Sequence, residues 1–152
     1  MARILILEDD EALGALLVRM LERAGHSIKH CRDGGSALTA LKAEPFRLLI
    51  SDLIIENNGV PVADGGVVLI GRAQAMRQSE NRPMGILAIS GAVANPLLPD
   101  ILRVAESVGA DRVLPKPIGR EALLDTVDEM LADVDRAYPD QATTNWRPRG
   151  FE

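Results

Sequence analysis

Four apolar residues in a row, Ile4-Leu5-Ile6-Leu7, stand directly before the acids Glu8, Asp9, Asp10 and Glu11, and beyond those acids leucines return at a different spacing. A run of that length with no polar member is the pattern of a strand buried on both faces. Leu13, Leu16, Leu17, Met20 and Leu21 then recur at helical intervals until Gly25 supplies a stop. The same change of period repeats along the chain. Strands are predicted at Ser27 to Cys31, Phe46 to Ser51, Met84 to Ile89 and Arg112 to Leu114. Helices are predicted at Ser36 to Lys42, Val67 to Arg77 and Pro99 to Val108, and a last one carries Leu123, Val127, Met130 and Val134. Between Glu56 and Gly66 the turn formers Asn57-Asn58-Gly59, Pro61 and Asp64-Gly65-Gly66 predict an irregular loop. Five short apolar strands alternating with five helices imply an α/β fold: a doubly wound five-stranded parallel sheet with helices on both faces.

Composition narrows the classes. The 152 residues are 47% hydrophobic and 26% charged, with a formal charge of −5, which argues against a broad nucleic-acid surface. One cysteine, Cys31, excludes an internal disulfide framework, fits a reducing compartment and reads as buried packing. The apolar run at the start is too short for a signal peptide or a membrane span, so the expected location is cytoplasmic with no membrane partner. His26 and His30 read as surface residues flanking a strand.

In doubly wound sheets, ligands bind beyond the carboxyl ends of the strands. Those ends carry Glu8 and Asp9, Asp52, Ser90 and Lys116. Three carboxylates brought together repel one another unless a cation is present, and a hard divalent ion with oxygen ligands, Mg²⁺, suits them. A lysine and a hydroxyl beside them suit the oxygens of a phosphoryl group, so the chemistry indicated is phosphoryl transfer to a carboxylate. Each residue has a plainer competitor: Asp9, Asp10 and Glu11 precede a helix and suit its cap, Asp52 and Ser90 suit turns, and Lys116 suits a solvated surface.

Taken together, Ile4-Leu5-Ile6-Leu7-Glu8-Asp9-Asp10-Glu11, Leu49-Ile50-Ser51-Asp52, Ala88-Ile89-Ser90-Gly91 and Leu114-Pro115-Lys116-Pro117 resemble the receiver domains of two-component response regulators, whose fold is flavodoxin-like. The resemblance implies that residues 2–134 form a receiver and 135–152 a tail with no output domain. It also implies a signalling switch, not an enzyme, that takes a phosphoryl group on Asp52 from a histidine kinase or phosphotransfer protein and modulates binding of a downstream protein. Asp9, Asp52 and the Ile54 backbone carbonyl would hold Mg²⁺, with Glu8 acting through water. Ser90 would be the switch hydroxyl and Lys116 the phosphoryl clamp, and the Lys116-Pro117 peptide would be cis. Self-association as a homodimer stays open.

Two positions depart from the family pattern. The stretch from Asp52 to Asp64-Gly65 is longer than is usual there, and the position three before Lys116, commonly aromatic, is Val113. The alternative readings are a receiver-like interaction module that is not phosphorylated and a phosphohydrolase with an aspartyl intermediate. The second usually has another Asp two residues after its nucleophile, where this chain has Ile54. By the same resemblance, Ile54 and Ala92 flank the water that would hydrolyse an aspartyl phosphate, and neither side chain hydrogen-bonds. Self-dephosphorylation should therefore be slow. Time courses of phosphate loss should quicken in Ile54→Asn or Ala92→Glu, and unchanged or slower loss in both would refute the idea.

Overall fold

A computed structural model describes residues 1–53, 55–57, 60–62, 65–91 and 98–139. Ile54, Ala92 and the predicted tail from residue 140 onward lie outside the described residues. The elements follow in the order β1 (Arg3–Leu7), α1 (Glu11–Arg23), β2 (Ser27–Cys31), α2 (Gly34–Ala43), β3 (Leu48–Asp52), β4 (Ile55–Asn57) and β5 (Val60–Val62). After them come α3 (Gly66–Glu80), β6 (Gly85–Ser90), α4 (Leu98–Val108), β7 (Arg112–Pro115) and α5 (Arg120–Ala137).

Five of the strands form one sheet in the order β2-β1-β3-β6-β7, with every neighbouring pair parallel. Alternation along the strands sends their side chains into two cores. Leu5, Leu7, Leu49, Ile86 and Ala88 meet Ala37 and Leu41 of α2, Leu69, Ile70 and Ala73 of α3, and Ala105 of α4. Ile4, Ile6, Leu48, Ile50, Leu87 and Ile89 meet Leu17 and Leu21 of α1 and Leu123, Val127 and Met130 of α5. Each fully buried Leu or Ile contributes about 1.5–3 kcal/mol.

Register sets the position of the site. Leu7 pairs with both Cys31 and Ser51, Asp52 with Ile89, and Ser90 with Pro115, so the carboxyl ends of the strands share one edge. The helices are fastened to that frame locally. Asp10 Oδ1 accepts from the Leu13 N–H at 3.0 Å and Asp33 Oδ1 from that of Ser36 at 2.7 Å, each capping a helix. At the opposite end of α2, the buried Arg82 guanidinium donates to the carbonyls of Leu41 at 2.8 Å and Glu44 at 2.9 Å.

Three sequence expectations are adjusted. The stretch read as an irregular loop contains a short antiparallel pair, β4 and β5, in register from Ile55↔Val62 to Asn57↔Val60. The residues between, Asn58-Gly59, are the dipeptide favoured in two-residue hairpins, a signal that the surrounding turn formers obscured. Second, α5 reaches Ala137, because Asp135 and Arg136 are compatible with a helix even though the apolar stripe stops at Val134. Third, β3, β6 and β7 each end one residue later than expected, on Asp52, Ser90 and Pro115, the first two being polar residues paired within the sheet.

The start of α3 is held unusually close. A Cβ at Gly66 would lie 1.4 Å from the Asp52 carbonyl oxygen, whereas one at Gly71, on the same helix, would meet nothing within 4 Å. Gly66→Ala should therefore lower stability by about 1–3 kcal/mol. Gly71→Ala should raise it by about 0.5–1 kcal/mol. Urea unfolding midpoints of the two variants check both signs.

Candidate functional site

Each polar residue at the sheet edge arrives there for a local reason. Glu8 follows β1 directly and is fully buried, and its N–H donates to the Cys31 carbonyl at 3.1 Å, prolonging the β1–β2 ladder by one bond. Asp52 is the last residue of β3 and 5% exposed, and its carbonyl oxygen accepts from Ser51 Oγ at 2.9 Å. Ser90 closes β6, is also buried, and accepts the Lys116 N–H on its carbonyl at 2.7 Å. That bond extends the β6–β7 pairing and turns Lys116 inward. The peptide between Lys116 and Pro117 is cis, as the family resemblance implied.

Lys116 crosses the edge. Its Nζ donates to Asp52 Oδ2 at 2.9 Å and to Glu8 Oε1 at 3.2 Å. Glu8 Oε2 forms an ion pair with the same nitrogen at 3.0 Å, and this buried oxygen makes no hydrogen bond among the described residues. Gly91 leaves room for the lysine stem, since a Cβ there would come within 3.3 Å of Lys116 Cδ. Carboxylate oxygens of Glu8, Asp9 and Asp52 all lie within 4.8 Å of one another.

Such crowding is costly in charge. Burial first, and the Asp52 carboxylate second, push Glu8 up to about 7, against the opposing pull of Lys116. Burial alone would depress the Lys116 ammonium, but its hydrogen bonds and charge interactions with Asp52 and Glu8 outweigh that and hold it above its ordinary value. Three carboxylates with hard oxygen donors within 4.8 Å of one another, one of them Glu8 with a buried oxygen that makes no hydrogen bond among the described residues, fit a divalent cation of the Mg²⁺ type.

The predicted residues Glu8, Asp9, Asp52, Ser90 and Lys116 thus gather at one sheet edge, whereas Ile54 falls outside the described residues. Capping, the plainer reading of the acids after β1, holds for Asp10. Sequence reasoning missed Gly66, whose signal was a glycine pair just before a helix, and Gly14, a lone glycine inside a helical pattern, which marks a close approach. It also misplaced His30: the ring is half-buried and hydrogen-bonded to the Glu8 carbonyl oxygen at 2.9 Å.

Comparison with known proteins shows the family of the chain. Residues 4–128 match the response regulator receiver domain family. The chain is 33% identical over 133 residues to the response regulator receiver protein CpdR of Brucella abortus, covering 86% of this chain and 98% of that one. It is 29% identical to the sensory/regulatory protein RpfC of Xanthomonas campestris over 99% of this chain but only 19% of that larger protein. The CheY-like receiver domain crystal structure from Methanospirillum hungatei superposes with a TM-score of 0.76 at 23% identity, covering 90% of this chain and 98% of that one. The chain belongs to the receiver domain family of two-component response regulators, whose members are signalling switches that generally bind Mg²⁺ in an acidic pocket.

Asp9→Ala, which removes an anionic oxygen donor from the cluster, should weaken Mg²⁺ binding roughly tenfold or more. Lys116→Ala should retain or raise that affinity, because it removes the cation that already neutralises Asp52 and Glu8. Calorimetric titration of both variants measures this, and an unchanged Asp9→Ala would reduce the acids to a helix-capping role.

Proposed function

We propose that this chain is a phosphorylation-dependent signalling switch in the cytoplasm, with Asp52 as the phosphoacceptor. The observation that carries the reading is the Lys116 ammonium held 2.9 Å from Asp52 Oδ2 across a buried acidic edge. In the transfer, an Asp52 carboxylate oxygen forms a bond to phosphorus as the P–N bond of a phosphohistidine breaks, and the departing imidazole takes up a proton. The donor is a histidine kinase or a phosphotransfer protein. Lys116 attracts the phosphoryl oxygens and leaves Glu8 to do so, and Ser90, buried at the end of the neighbouring strand, offers the hydroxyl that reports the new group. Asp9 and Asp52, with the Ile54 carbonyl, would hold Mg²⁺, and Glu8 would act on it through water. When bound, the ion offsets the negative charge that gathers between carboxylate and phosphoryl group. The modified edge then changes affinity for a downstream protein.

Incubating the protein with Mg²⁺ and acetyl phosphate, followed by intact-mass measurement, tests the assignment. One phosphoryl adduct is expected in the wild type and none in Asp52→Asn. Equal adducts in both proteins would refute Asp52, and none in either would leave the chain an interaction module with a receiver fold.

A further inference from the structure

The pair of acids after β1 is held in place from one side by three consecutive residues. Cys31 accepts the Glu8 N–H on its carbonyl at 3.1 Å, His30 Nε2 lies 2.9 Å from the Glu8 carbonyl oxygen, and an Arg32 guanidinium nitrogen donates to the Asp9 carbonyl oxygen at 3.3 Å. Because a carbonyl only accepts, the His30 contact requires the proton on Nε2. The ring that makes it is itself fixed by α1. A Cβ at Gly14 would fall 2.2 Å from His30 Cε1 and 2.4 Å from Nε2, so the helix backbone lies directly against the imidazole at this point. Glycine is a poor residue for a helix interior and costs about 1 kcal/mol there relative to alanine. At this position it makes space for the histidine.

The backbone of Glu8 is therefore gripped through both its N–H and its C=O, and the carbonyl grip depends on one side chain. We infer that His30 is a positioning residue for the acidic site: by donating from Nε2 to the Glu8 carbonyl, in a space kept open by Gly14, it sets the turn that aims Glu8 and Asp9 at Asp52. This rests on the proposed reading of those acids as a cation site. His30 touches neither the cation nor the phosphoryl group, so its effect is transmitted through the Glu8 main chain.

Mg²⁺ affinity, measured by calorimetry on the full chain beside the melting temperature without Mg²⁺, tests the inference. His30→Ala should bind Mg²⁺ about fivefold more weakly, the scale of one lost hydrogen bond. His30→Gln, whose side-chain amide can donate from a similar place, should bind close to the wild-type value. Gly14→Ala should weaken binding by pushing the ring aside, but should add nothing once His30 is already alanine. If the alanine variant does not fold, His30→Leu, which keeps bulk and removes the donor, takes its place with the same expectation. A folded His30 variant without a donor that binds as the wild type does, while Asp9→Ala has lost affinity, overturns this inference and leaves the cation site standing. Equal losses in the Gln and Ala variants overturn it too, since packing of the ring would then be the cause. Unchanged affinity in Asp9→Ala removes the cation site itself and the inference with it.

Discussion

The structure depends on covering both faces of its central strands. Every residue of β3 and of β6 is buried, including Ser51, Asp52 and Ser90. With helices on either side there is no solvated face to carry polar side chains, so polarity is confined to the strand ends. Parallel pairing then brings all the carboxyl ends to one edge, and the register of Leu7 with Ser51 and of Ser90 with Pro115 brings the first, third, fourth and last strands of the chain's parallel sheet to a common rim. The site is a geometric result of how the core is buried.

At that rim, electrostatics and burial oppose each other. Glu8 is fully enclosed and close to Asp52, and both circumstances disfavour its charge. Lys116 relieves part of this and gains in return, since the two carboxylates hold its proton more firmly than water would. One oxygen of Glu8, though ion-paired with Lys116, still makes no hydrogen bond among the described residues. On the proposed reading, the arrangement has room for one further cation before phosphorylation and needs Lys116 on the incoming group afterwards. The lysine stem lies close against Gly91, where a Cβ would come within 3.3 Å of its Cδ.

Much of this was legible in the residues. Changes of apolar period marked the five parallel strands and five helices, since two-sided burial leaves an unmistakable run such as Ile4 to Leu7. The edge residues were legible because their types are complementary and each follows a strand. What escaped was long-range contact. The nearness of Gly66 to the Asp52 carbonyl depends on how α3 meets β3, and that of Gly14 to His30 on how α1 meets β2; neither distance is written in local pattern. The hairpin of β4 and β5 was hidden for another reason: three-residue strands are too short for alternation to stand out among prolines and glycines.

The chain leaves the sheet at Leu53 and enters α3 through its cap, Gly65, and the Val67 N–H donates to the Leu53 carbonyl oxygen at 3.3 Å. With Gly66 pressed on Asp52 as well, the two stumps of the departing segment are tied together beside Asp52. The entropy of closing a loop grows only slowly with its length, and the scaffold already fixes its ends. A change in the length of the intervening stretch therefore costs little closure entropy, and the tie between Leu53 and Val67 holds the anchor points beside Asp52 independently of that length.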